Sequence, residues 1–289
     1  MPARRLHARQ AGTCAGCGAP LPRGPWPWWG TGRRLTCGRC STDCPAGASA
    51  QRQFDRRAAG YHAKVRVAHP HLGGLLLWGC GDPQPIRAWA VGAAGERAVG
   101  RVLDALAADG VHVLHDRRWR PSVRANLDHL AVSPWAVWVI DTKVRRGLVT
   151  RRVHRWLRRE ERLLVAGRNC TALVAAMGPQ VDAVRAALGE AWAWVPVRPA
   201  LCFVSAQWDS PARPFDVGGV AVAWPSALAE LIRADGPRGA DGRPAGGPSA
   251  PRRRVWRRIG PTSRAPALAR TLDVERVASQ LATALPPAY

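Results

Sequence analysis

The sequence predicts a mixed α/β domain preceded by a small cysteine-rich module. Three observations carry this. Between residues 92 and 234, short apolar runs of strand character alternate with segments of helical spacing. Near the N-terminus, two C-x2-C pairs stand nineteen residues apart. The chain has 289 residues and is 47% hydrophobic, enough for one main core with additions.

Residues 1–46 hold Cys14, Cys17, Cys37 and Cys40. Each pair makes a tight knuckle, and four thiolates complete a tetrahedral Zn²⁺ site. The intervening "GAPLPRGPWPWWGTGRRLT" is too short and too rich in Gly and Pro to build a core, so the metal would supply its folding energy. Cys44 is a fifth cysteine, read as a spare. Trp26, Trp28 and Trp29 either cover the knuckles or stack on bases.

Residues 47–91 read as a basic helix ended by Pro70, followed by a connector broken by Gly and Pro. Residues 92–234 form the main body. "AAGERAVGRVLDALAADG" places Val99, Val102, Leu103 and Leu106 at helical spacing and stops at Gly110. "VHVLHD" is a strand, "NLDHLAVSPWAVWVIDTK" a hairpin and "RGLVTRRV" a further strand. "RLLVAGRNCTAL" turns at Gly167–Asn169, although 154–166 also suits a helix. A helix begins at Pro179 and buries Val181, Val184 and Leu188. "PALCFVSA" and "GGVAVAW" are strands, and "PSALAELIRADG" is a helix. Residues 235–267 lose all apolar periodicity and read as a disordered basic linker. Residues 268–289 resume helical spacing and are expected to dock on the body.

The net charge of +23 points to a polyanion, with nucleic acid first. Codon bias is the competing account, since lysine occurs only at Lys64 and Lys143. No apolar stretch follows the basic N-terminus, and no run approaches the roughly 20 residues of a membrane span. The expectation is a cytoplasmic protein with no membrane partner. Eight cysteines in such a chain suit thiols or metal ligands. Cys80, Cys170 and Cys202 read as buried thiols.

The hairpin carries the chemistry. Alternation puts Val137, Val139, Asp141 and Lys143 on one face, with Asp128, Leu130 and Val132 on one face of the partner strand. Two carboxylates and an ammonium then converge just beyond the core. Oxygen ligands of this kind suit Mg²⁺ or Mn²⁺. Glu96 falls on the buried face of the preceding helix, near its expected start. It is either a third acid of this site or a first-turn acid favoured by the helix dipole. Alternation turns His129 to the opposite face, as a packed or surface imidazole. His112, His115 and His154 show no metal spacing.

"GAAGERAVGRVLDALAADGVHVLHD", "NLDHLAVSPWAVWVIDTKVRRG", "MGPQVDAVRAAL" and "RPALCFVSA" resemble the nuclease-related domain (NERD) family of the PD-(D/E)xK superfamily. The resemblance implies a restriction-endonuclease-like mixed β-sheet flanked by helices, hydrolysing DNA phosphodiesters with a divalent metal. By resemblance, Glu96 is the helix acid, Asp128 the first hairpin acid, and Asp141 and Lys143 the acid and lysine of the D/E-x-K element. Gln180 resembles the glutamine of the following helix. Asp141 stands where many superfamily members have Glu. The cysteine module resembles a zinc ribbon. On this reading Asp128, Asp141 and the Thr142 carbonyl hold Mg²⁺, with Glu96 as direct or water-mediated ligand. The rival is a non-catalytic DNA-binding or adaptor protein built on the zinc ribbon and basic segments.

Overall fold

The computed structural model describes residues 44–119, 126–154, 160–236 and 271–288, together with the backbone of short strands before Cys44. Cys14, Cys17, Cys37, Cys40 and most of the 235–267 segment lie outside the described residues.

The chain enters through three helices: α1 (Ala48–Ala68), α2 (Gly73–Cys80) and α3 (Gln84–Asp104). α1 and α3 run antiparallel. Gln51 accepts from Arg97 at 3.2 Å, the Arg57 guanidinium lies 5.4 Å from the Trp89 ring centroid, and His62 bonds Asp82 at 2.7 Å. The stretch read as a connector is therefore largely helical. Its prolines misled: Pro85 lies in the first turn of α3, where no intrahelical N–H is needed. α3 continues through a 3₁₀ turn (Ala105–Asp109) to Gly110, whose φ of 74° suits a glycine stop.

A six-stranded mixed sheet follows, as expected. Its strands are β1 (His112–Arg118), β2 (Asn126–Val132), β3 (Val137–Val144), β6 (Val197–Val204), β7 (Phe215–Val217) and β8 (Val220–Ala223). The spatial order is β7-β8-β6-β3-β2-β1. β6 runs parallel to β3 and β8; the other pairs are antiparallel. β7, too short for a clear alternation, was not foreseen. β4 (Val149–His154) pairs with β5 (Glu160–Val165), which pairs in turn with Arg168–Asn169 in a small second sheet, so 160–165 is strand and not helix.

Helices cover both faces. On one, α3 and α5 (Pro225–Arg233) bury Val99, Leu103, Leu228 and Ile232 against Trp138, Ile140 and Ala200. On the other, α4 (Met177–Leu188) and α6 (Val274–Ala284) bury Met177, Val181, Val184, Val277 and Leu281 against Val137, Val139, Leu201 and Phe203. α6 is capped at both ends. The Asp273 side chain accepts from the Arg276 amide at 3.1 Å. The buried Arg117 guanidinium donates to the carbonyls of Leu285 at 2.7 Å and Ala282 at 2.9 Å. A cation at a helix C-terminus also suits the dipole.

Among the described residues, no helix is long and apolar enough to cross a membrane. Cys202 is buried, and burial pushes its thiol up to about 12. Cys170 is only half-buried. Cys80 is exposed on α2, against expectation, because that helix lies outside the sheet domain. Cys44 is buried, and burial with the nearby Asp116 pushes it up to about 12, so it stays a protonated thiol.

Candidate active site

The site opens where β2 and β3 part. Their ladder runs from Val132↔Val137 to His129↔Ile140 and stops. One more step would oppose Asp128 to Asp141. β3 continues instead along β6, with Asp141↔Leu201 and Lys143↔Phe203, while β2 continues along β1. In the resulting notch, the Thr142 amide donates to Asp128 Oδ2 at 2.7 Å. A side chain thus replaces the missing ladder bond. Asp141, 8% exposed, accepts from Lys143 Nζ at 2.5 Å.

Glu96 reaches this end from α3. The helix approaches closely because position 95 is glycine; a Cβ there would collide with the Val144 side chain. α3 starts at Gln84, so Glu96 is in mid-helix and not near its start. The helix-dipole account of this glutamate therefore fails, since the dipole acts in the first turn. Burial, then Asp116, then Asp141 push the Glu96 carboxyl up to about 7, against the pull of Lys143 and Arg97. Burial, then Asp141 and Glu96, hold Asp128 well above the usual carboxylate range. The three acids predicted from sequence repel one another, as groups sharing one low-dielectric region do.

Gln180 lies on α4, on the face of the sheet that carries Asp141 and Lys143. Its Nε2 is 3.8 Å from Met177 Sδ, and its Oε1 is buried without a partner. No hydrogen bond joins it to the hairpin charges. Such an orphan acceptor is costly unless something donates to it.

Two features were missed. Asp116 is 1% exposed and sits in the left-handed region with φ of 51°, a conformation aspartate tolerates. Its carboxylate accepts from the Ser49 amide at 2.5 Å and from Asn126 Nδ2 at 3.0 Å, which ties the start of α1 to the sheet. The second is a histidine pair. His129 is fully buried, bonded to His115 at 2.7 Å and to Thr142 Oγ1 at 3.1 Å. An aspartate ending a strand and a histidine beside each acid were the available signals. Neither shows its partner by spacing.

Among the described residues, no three His, Cys, Asp or Glu side chains form a group that could hold a metal ion. Asp128, Asp141 and Glu96 are electrostatic neighbours without converging on one point.

Residues 91–204 match the family model of the nuclease-related domain, NERD. The match begins within α3, five residues before Glu96, and ends with β6. It spans Asp116, Asp128, Asp141, Lys143 and Gln180. The entering helices α1 and α2, the β7–β8 hairpin, α5 and α6 lie outside it. No curated protein and no solved structure matches the chain.

Proposed function

We propose that this chain is a metal-dependent nuclease that hydrolyses phosphodiester bonds in DNA. The observation that carries the reading is the notch itself. Two strands splay at Asp128 and Asp141; Asp141 bonds Lys143 there, and Asp128 lies within reach of its charge. The nuclease-related match over the same residues supports it.

The donor set fits a divalent cation in kind. Carboxylate oxygens are hard ligands for Mg²⁺ or Mn²⁺. Burial first, and then neighbouring negative charge, hold Asp128 and Glu96 above their ordinary range, and a cation would offset the second. Asp128, Asp141 and the Thr142 carbonyl would hold it, with Glu96 alongside. Bound there, it would neutralise charge on the scissile phosphate.

The chain's own groups do the rest. Lys143 can donate to an attacking water or to a phosphate oxygen. Asp141 keeps that ammonium aimed, at 2.5 Å. Gln180 Oε1, buried and unpartnered, can accept from the same water. The excess of 43 Lys and Arg over 20 Asp and Glu draws the polyanion in. Four thiolates at Cys14, Cys17, Cys37 and Cys40 would bind Zn²⁺ in a separate module that adds DNA contact.

The test is cleavage of labelled DNA and RNA substrates with Mg²⁺ or Mn²⁺. Asp141→Ala and Lys143→Ala are each expected to lose about a thousandfold in rate, the scale of removing one preorganised charge stabiliser. Equal cleavage by all three proteins removes the assignment. One observation favours a second reading, a non-catalytic DNA-binding protein: the acids do not form a ready-made metal group. Salt-dependent DNA binding without Mg²⁺ uptake by calorimetry is the outcome that would select it.

A further inference from the structure

Behind the notch runs a second polar chain that the proposed chemistry does not use. His115 and His129 face one another across β1 and β2, and both are buried. Their Nδ1 atoms are 2.7 Å apart, with the rings edge to face. His115 Nε2 lies 2.8 Å from Asp104 Oδ1, at the last residue of α3. His129 Nε2 lies 3.1 Å from Thr142 Oγ1. The Thr142 amide in turn donates to Asp128. Four hydrogen bonds thus connect an exposed carboxylate to a notch carboxylate through three buried or half-buried residues.

Counting protons gives this chain a direction. The Asp104 carboxylate only accepts, so His115 Nε2 carries the hydrogen. With one N–H on each ring, His115 Nδ1 is bare and accepts from His129 Nδ1–H. His129 is fully buried and its ring bonds His115 and Thr142, neither of which offers a negative charge, so this ring is assigned a single N–H as well. Its Nε2 is then bare and accepts from the Thr142 hydroxyl. Every bond runs one way: Thr142 to His129, His129 to His115, His115 to Asp104. The reverse direction needs two protons on His115, a charge that only Asp104 would face among the described residues.

We infer that His115 and His129 are positioning residues that hold Thr142 through this one-way chain. Thr142 stands between Asp141 and Lys143, where the ladder to β2 has ended. Its backbone is what sets both neighbours. With its hydroxyl tied to His129 on one face and its amide tied to Asp128 in the notch, the residue cannot rotate without breaking a bond. The kinetic consequence rests on the nuclease reading above; the direction of the chain does not.

Two measurements on the full-length protein test this. The first is single-turnover cleavage of linear DNA with Mg²⁺. Thr142→Val removes the hydroxyl at nearly constant shape. Its cleavage rate should fall about tenfold with DNA affinity unchanged, the usual scale for losing a supporting partner. Thr142→Ser, which keeps the hydroxyl, should recover most of that loss. The second is the ¹⁵N spectrum of histidine-labelled wild-type protein. It should show the Nδ1–H tautomer at His129 and the Nε2–H tautomer at His115. Wild-type rates in Thr142→Val overturn the inference, as does the Nε2–H tautomer at His129. If the wild type cleaves no nucleic acid, the nuclease reading fails; the predicted tautomers would still support the positioning chain, and the opposite pair would overturn it.

Discussion

β3 carries two polar clusters on its two faces, and they are built on opposite terms. On the face towards α3, Thr142, His129, His115 and the Asp104 carboxylate form a chain in which each link has a partner. In the notch and on the opposite face, Asp128 and Asp141 gather negative charge with Glu96 nearby. Lys143 is the nearest cation, and Asp128 and Glu96 are both pushed upward. The same two strands thus support one cluster that is satisfied and one that is not. A polar group inside a fold is kept either because it bonds well or because it serves something the free fold lacks. The histidines fit the first account and the acids the second.

The largest effect should come from breaking the satisfied cluster. His129→Leu leaves His115 Nδ1 and Thr142 Oγ1 without partners in a packed interior. The expected loss is about 3–4 kcal/mol of folding stability, two orphaned groups at 1–3 kcal/mol each. His115→Leu should cost a similar amount. The double variant removes donor and acceptor together, so its cost should fall clearly below the sum. Urea unfolding of the three proteins measures this. Strict additivity would mean the two rings do not act as one unit.

How much of this contrast could be seen in the sequence follows from where the partners lie. Alternation in "NLDHLAV" and "VWVIDTKV" aims Asp128, Asp141 and Lys143, and their strands are adjacent through one short turn. The acids were therefore legible. The histidine chain joins residues 11, 14 and 13 positions apart on α3, β1, β2 and β3, spacings that no local period marks. Its existence depends on the register His115↔His129, which only pairing reveals. Glu96 was found, but its surroundings were misjudged because Pro83 and Pro85 read as breaks when they open α3. Asp116 looked like the polar end of a strand, and its contact with Ser49 spans 67 positions. Short-range periodicity shows which face a residue takes, and tertiary pairing decides what it meets there.

An intermediate effect should come from pH, acting on the unsatisfied cluster. The Glu96 carboxyl is raised from 4.5 to about 7 in the folded protein. The folded state therefore holds a proton that the unfolded state has released between those values. Stability is full below about pH 4.5, declines as pH rises towards 7, and levels off above it. The decline attributable to Glu96 is at most about 3 kcal/mol, from the size of the shift. Glu96→Gln should remove that decline. Unfolding midpoints of the two proteins should diverge from pH 4.5 up to about 7 and keep that gap above it, the variant being the more stable at the alkaline end. Parallel curves would mean that the mid-helix glutamate is not strained.

The smallest effect is also the one that separates the two clusters most sharply. Asp128→Asn keeps the shape, and its amide oxygen can still accept from Thr142 N–H. It removes one of the mutually repelling charges. Asp128 is held well above its ordinary range by burial, Asp141 and Glu96, so its ionised form is a liability to the fold at pH 8. The variant should be more stable there by about 1–2 kcal/mol, the common scale for relieving a strained functional residue. The gain should shrink as pH falls towards the ordinary carboxylate range, since a protonated aspartate and an asparagine are both neutral. If the nuclease reading holds, the stabilised variant should be inactive, because the amide is a poor substitute for an anionic metal ligand. Calorimetric melts at pH 5 and 8, paired with a cleavage assay, measure both halves. An asparagine variant less stable at pH 8 would show that the acids are as well satisfied as the histidines, and the contrast between the two faces of β3 would disappear.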